Sequence, residues 1–150
     1  MKFKFKIQQY QTDAVENTVA VFTGQPSHGM AVYRIDPGKR EKNFFDEEDY
    51  TGYRNHQLEL DSPTLLKNIN AIQNLYDITP SSTLAKGVGA VNLDIEMETG
   101  TGKTYVYIKT MFELHKQYGW SKFIIVVPSI AIREGVAKSI KMLEEHFMEY

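Results

Sequence analysis

The residues best suited to chemistry lie in one run, Met97-Glu98-Thr99-Gly100-Thr101-Gly102-Lys103-Thr104. Glycines at 100 and 102 let the backbone curl until several N–H groups face a single anion. The lysine that follows brings a compact positive charge within reach of the outer phosphates of a nucleoside triphosphate. Thr104 offers a hydroxyl to the Mg²⁺ that accompanies such phosphates. The spacing matches the end of the phosphate-loop pattern G-x-x-x-x-G-K-[ST]. It departs from the pattern at the first position, where Met97 replaces glycine. The blander reading is a glycine-rich turn with an incidental Lys-Thr pair. The coincidence of two glycines, that pair and suitable flanks favours the phosphate loop.

Such a loop needs an element entering it and a helix leaving it. Val91, Leu93, Ile95 and Met97 alternate with Asn92, Asp94 and Glu96, which predicts a strand over 90–97. After the loop at 98–102, Val106, Ile108, Met111, Phe112 and Leu114 predict a helix from about Lys103 to Tyr118, stopped by Gly119. The positive end of that helix adds to the anion site. Lys122–Val127 (KFIIVV) is nearly all apolar, as expected of a strand buried on both faces. A further helix is expected over 130–147. Strand, helix, strand and helix in this order predict an α/β fold with a βαβ unit and a parallel sheet.

Upstream, KFKFKI at 2–7 alternates like a strand with one wet face. Ala14, Val15, Thr18, Val19 and Phe22 share one helical stripe. Asp13 with Glu16 suits the start of that helix, and Gly24 with Pro26 suits its end. A loop-rich insertion is expected at about 25–60. Within it Val32, Tyr33 and Ile35 suit a short strand, and Asp46, Glu47, Glu48 and Asp49 read as a solvated acidic face. Asp61-Ser62-Pro63 opens a helix, because the acidic side chain caps and proline costs nothing in the first turn. Leu65, Leu66, Ile69, Ile72, Leu75 and Tyr76 give it an apolar stripe that should end before Pro80, followed by a loop over 79–89.

Composition sets outer limits. At 150 residues and 42% hydrophobic, the chain can build one domain with a core. A net charge of −2 argues against a uniformly basic nucleic-acid-coating protein but leaves room for a local basic groove. The absence of cysteine excludes disulfides and thiolate metal sites. His28, His56, His115 and His146 show no ligand spacing. The N-terminus lacks the continuous apolar core of a signal peptide. No run approaches the roughly 20 apolar residues needed to cross a bilayer. The sequence therefore predicts a soluble chain without membrane contact, and the lack of cysteine is compatible with the cytoplasmic location expected of it.

Beyond the bare loop, T-G-T-G-K-T with a non-glycine opening resembles motif I of superfamily 2 DEAD/DEAH-type helicases. The longer string NLDIEMETGTGKTYVYIKT resembles the helicase–nuclease (Res) subunit of type III restriction–modification enzymes. FIIVVPSIAIREGV is similar to motif Ia of that family, and YQTDAVENTVAVF to its Q-motif helix. The resemblance covers most of 1–24 and 90–140. It implies a partial RecA-like P-loop NTPase domain, the N-terminal part of a first helicase lobe, with residues 1–150 ending before that domain is complete. It also implies ATP and Mg²⁺ as cofactors, DNA as substrate and a modification methyltransferase as partner. Gln11 would read the adenine edge, since an amide offers both the donor and the acceptor that adenine N6 and N7 require. Thr99, Gly100, Thr101, Gly102, Lys103 and Thr104 would hold the phosphates, with Lys103 and Thr104 catalytic and Thr104 on Mg²⁺. Pro128, Ser129 and Arg133 would face DNA, where a hydroxyl and helix-start N–H groups suit a phosphate.

Hydrolysis also needs a later acidic motif to hold Mg²⁺ and orient water. No apolar strand expected after Lys103 ends in Asp or Glu, because KFIIVV leads into Pro128. The expectation is an N-terminal piece of a longer ATP-dependent restriction endonuclease or, alternatively, of another superfamily 2 DNA helicase. By itself the chain is expected to bind nucleotide at most, without turnover.

Overall fold

A computed structural model of the chain describes residue 6 and residues 8–27 and 55–148. Within them run four helices: α1 (Gln9–Ala20), α2 (Ser62–Leu75), α3 (Lys103–Tyr118) and α4 (Ile130–Met148). Helix α1 starts ahead of the expected Asp13–Glu16 signal. Asp13 lies inside the helix and accepts a bond from Gln9 Nε2 at 2.7 Å. Gly24, at φ +98°, closes the turn that follows α1. Helix α2 opens as its sequence predicts: the Asp61 carboxylate accepts the Thr64 N–H at 3.0 Å, and Pro63 lies in the first turn. Helix α3 ends at Gly119, whose φ of +73° and N–H bond to the His115 carbonyl at 2.8 Å satisfy a terminal carbonyl.

The apolar stripes meet in one main core. Val15, Val19 and Phe22 enter it from α1 and its turn, Leu65 from α2, and Val106, Leu114 and Tyr118 from α3. Trp120 closes this core edge-on to Phe22, with ring centroids 5.1 Å apart. Burying a side chain such as Leu65, which is 1% exposed, contributes about 2 kcal/mol. Helix α3 is central, packing against α1 and against α4. On the α4 side Ile108, Leu143 and Phe147 form a second cluster, and Phe112 stacks on Phe147 at 4.8 Å. Side-chain amides fasten the connections. Gln25 donates to the Gln57 carbonyl at 3.0 Å and accepts from Glu59 N–H at 2.8 Å, joining the two ends of the expected insertion. Asn68 donates to the carbonyls of Val21 and Thr23, tying α2 to the end of α1.

The structure overturns the expected parallel sheet, and with it the partial RecA-like α/β assignment. Among the described residues there are four helices and no strand. Residues 91–98 and 121–127 run without a ladder. A ladder needs a neighbouring backbone about 4.8 Å away. Between these two segments lies instead an apolar gap of about 460 Å³, bordered by Ile95, Met97, Tyr107, Phe123 and Ile125. Backbone groups at one end of each segment are taken by side chains. Asn55 accepts from the N–H groups of Ser121 and Lys122, at 2.9 and 2.8 Å, and donates to the Lys122 carbonyl at 2.7 Å. Lys103 takes the carbonyls of Met97 and Glu98. Alternation and apolarity make a segment fit for a sheet, but pairing makes it a strand. The strand expected at 2–7, apart from residue 6, lies outside the described residues, as do the short strand at 32–35 and the acidic cluster at 46–49.

Candidate functional site

The loop at Thr99–Gly102 is shaped by two glycines in the left-handed region, Gly100 at φ +84° and Gly102 at φ +87°. A Cβ at Gly100 would meet nothing within 4 Å, so that side of the loop is open. The Thr101 hydroxyl donates to the Glu98 carbonyl at 2.6 Å, fixing the turn from inside. The first bond into α3 runs from Val106 N–H to the Gly102 carbonyl at 3.1 Å. The N–H groups of Lys103 and Thr104 precede it and belong to the unpaired donors of a helix start. Two flexible peptides, unpaired donors and the positive end of a 16-residue helix make a cradle for an anion.

Lys103 is exposed, and its ammonium is folded back over the loop. Nζ donates to the Met97 carbonyl and, at 2.8 Å, to the Glu98 carbonyl. An ammonium has three donors, so one remains for a phosphate while the other two hold the loop closed. Thr104 is half-buried next to it, and its hydroxyl makes no bond among the described residues. These groups fit a triphosphate with Mg²⁺: an open cradle, one spare cationic donor and one free hydroxyl.

Gln11 is brought to this loop across 90 positions of sequence. Its Nε2 donates to the Thr101 carbonyl at 2.8 Å. The amide lies so close that a Cβ on Gly102 would sit 2.5 Å from Nε2. Gly102 is therefore favoured by its backbone angle, and a side chain there would also have to displace the Gln11 amide. Gln11 keeps a second N–H and its carbonyl oxygen, the pair an adenine edge needs. Tyr10, to which the sequence assigns no role, is the other member of the site. Its hydroxyl donates to the same Thr101 carbonyl at 3.2 Å. The only sequence signal for it is its place beside Gln11.

The residues expected to face DNA do not join this cluster. Among the described residues no hydrogen bond links Pro128, Ser129 or Arg133 to the loop. All three are exposed. Ser129 Oγ accepts the Ile132 N–H at 3.3 Å and caps α4, and Arg133 N–H bonds the Ser129 carbonyl at 3.0 Å. The segment leading to them, Phe123–Val126, borders the same apolar gap as Lys103. Among the described residues no group of acidic or histidine side chains is arranged to hold a metal ion, and no helix is long and apolar enough to cross a membrane.

The family model described as "Type III restriction enzyme, res subunit" matches residues 4–149. The chain belongs to this family. Three Res subunits show the same likeness. The Res subunit of the type III restriction-modification enzyme EcoP15I from Escherichia coli is 40% identical over 97 residues, which is 63% of this chain and 10% of the relative. The EcoPI Res subunit of Escherichia phage P1 is 40% identical over 108 residues, covering 69% and 11%. The StyLTI Res subunit of Salmonella typhimurium is 51% identical over 61 residues, covering 39% and 6%. The chain thus spans about a tenth of the length of the first two of these Res subunits. The resemblance carried by NLDIEMETGTGKTYVYIKT and its flanks holds at the level of the family, without the sheet it implied.

Proposed function

We propose that the chain is the ATP-binding N-terminal segment of a type III restriction subunit. The full protein would hydrolyse ATP to move or switch on DNA before cutting it, alongside a modification methyltransferase, in the cytoplasm. The observation that carries this reading is the loop: Gly100 and Gly102 at positive φ, Lys103 with a spare donor, and Gln11 fastened to Thr101. In this reading Gly100, Gly102 and the α3 N–H groups hold the β- and γ-phosphates. Thr99 and Thr101 contribute backbone, since the Thr101 hydroxyl is turned onto Glu98. Lys103 and the Thr104 hydroxyl serve the outer phosphates and Mg²⁺. When bound, Mg²⁺ supplies charge neutralisation across the phosphates. Gln11 keeps its grip on the loop while its remaining N–H and carbonyl read adenine. Pro128, Ser129 and Arg133 would contact a DNA phosphate at the start of α4.

Calorimetric titration of the chain with Mg-ATP and Mg-GTP tests this. ATP should bind more tightly than GTP, Gln11→Ala should narrow that preference, and Lys103→Ala should abolish binding of both. A chain that binds neither nucleotide, or binds both without regard to Lys103, sinks the reading. A second reading concerns the chain alone: binding without turnover. It is favoured by the order of residues after Lys103, where the one extended apolar run, KFIIVV, leads into Pro128 and not into an acidic residue. ATP turnover measured with and without DNA decides it, and turnover lost in Lys103→Ala would overturn it.

A further inference from the structure

The Thr101 carbonyl accepts two bonds from the start of α1, from Gln11 Nε2 at 2.8 Å and from the Tyr10 hydroxyl at 3.2 Å. No peptide bond among the described residues is cis. The Thr101 carbonyl and the Gly102 N–H therefore lie in one plane and point in opposite directions within it. With the carbonyl drawn to α1, the Gly102 N–H faces away from α1, and no described backbone carbonyl takes it. We propose that Tyr10 is a positioning residue that locks the 101–102 peptide so that Gly102 presents its N–H, and not a carbonyl, to a bound phosphate.

The need for a lock follows from the glycines. Gly100 and Gly102 both lie at positive φ, and glycine crosses between φ regions at little cost. A flip of the peptide between Thr101 and Gly102 would replace a donor by a carbonyl oxygen, turning attraction for an anion into repulsion. Gln11 holds the same carbonyl through one of its two amide hydrogens, and Tyr10 adds a second donor to it that makes no other hydrogen bond among the described residues. The inference rests on the nucleotide reading above for its purpose, but the lock itself is present without ligand.

The test uses the full 150-residue chain and Tyr10→Phe, which keeps the ring and removes the donor. Mg-ATP and magnesium tripolyphosphate are titrated by calorimetry. Losing one hydrogen bond of ordinary strength should weaken both ligands by a similar factor of about five, whereas Gln11→Ala should weaken ATP more than tripolyphosphate. Weakening of ATP alone would make Tyr10 a base contact and overturn the proposal, as would no change in either. Unfolding of α1 seen by circular dichroism would reduce Tyr10 to a structural role and also overturn it. The second measurement is the ¹⁵N–¹H signal of Gly102 in the ligand-free chain. It should shift and broaden in Tyr10→Phe but not in the control Tyr76→Phe. An unchanged Gly102 signal overturns the lock even in a chain that binds no nucleotide. Absence of binding with a shifted Gly102 signal overturns the nucleotide reading and leaves the lock standing.

Discussion

Gly102→Ala should separate the two demands made on this position. Gly102 lies at φ +87°, ψ 35°. An L-residue in the left-handed region is strained by about 1–2 kcal/mol. The added Cβ would also lie 2.5 Å from Gln11 Nε2, a distance that forces the amide away from the Thr101 carbonyl. That bond, 2.8 Å long in the native chain, is worth about 0.5–1.5 kcal/mol net. Together the two effects penalise the loop geometry by about 1.5–3.5 kcal/mol. Because the free loop can relax and must be restored on binding, the penalty falls on affinity. Mg-ATP should bind roughly 10- to 400-fold more weakly. The melting temperature should move little, since Thr99 and Gly100 are exposed and the core lies elsewhere.

A double-mutant cycle makes the argument refutable. Gln11→Ala removes the hydrogen bond to Thr101 and also the atom that the new Cβ would strike. Measured with magnesium tripolyphosphate, which has no base, Gly102→Ala and Gln11→Ala should therefore not add. The double variant should recover about 0.5–1.5 kcal/mol relative to the sum of the single losses. Strict additivity would show that Gln11 and Gly102 act independently, and the contact between them would carry no energy.

Three further outcomes are expected. Lys103→Ala should abolish nucleotide binding in calorimetry while leaving the far-ultraviolet helical signal intact, because the side chain is exposed and bonds only loop carbonyls. Leu65→Ala should cost about 2–5 kcal/mol through an unfilled core position, lowering the melting temperature by roughly 4–20 °C in calorimetry; no shift would mean that α2 is not part of the core. Hydrogen bonds from the Thr64 side chain, and then from its N–H, hold the Asp61 carboxyl below its ordinary value of 3.8. A lowered acid contributes stability that is present above its unfolded value and is lost as pH falls through the folded one. Acid titration should therefore loosen α2 below about pH 3.8, and Asp61→Asn should remove that dependence.

What the sequence makes legible follows the range of the interactions. Asp61, Pro63 and Gly119 act on backbone groups a few residues away, so the start of α2 and the end of α3 can be read directly. Helix α1 is harder, because Gln8 makes no side-chain cap and Asp13 resembles a start signal while sitting inside the helix. The two expected strands fail for a different reason. Their alternation and apolarity are present, yet pairing depends on what lies alongside. There the chain places the apolar gap, with Ile124 and Val126 left 90% and 87% exposed. Within the site, Lys103 and the glycines are legible because the phosphate loop is contiguous. Gln11 is reached only through resemblance, and Tyr10 not at all, since both act on Thr101 from 90 and 91 positions away.

The loop keeps its two left-handed glycines and its open side without a ladder to enter from, because side chains hold the backbone that a flanking strand would share. Four donors converge on three consecutive or nearly consecutive carbonyls. Lys103 takes Met97 and Glu98, the Thr101 hydroxyl also takes Glu98, and Gln11 and Tyr10 take Thr101. Each bond fixes a carbonyl, and by peptide planarity it fixes the following N–H in the opposite direction. Three of the donors come from within the loop's own helix or from α1, and α1 is itself held to α3 by Val15, Val19 and Val106 in the main core. The cradle is thus supported from the helical side and by the segment that enters it, whose Val91, Leu93 and Met97 pack against the same core. Cutting the α1–α3 contact should then damage the loop more than disturbing 121–127 does. Val15→Ala, though distant from any phosphate, should weaken tripolyphosphate binding, whereas Ile124→Ser, at a 90% exposed position, should leave it unchanged. The reverse order in a calorimetric titration would place the support of the loop on 121–127 instead.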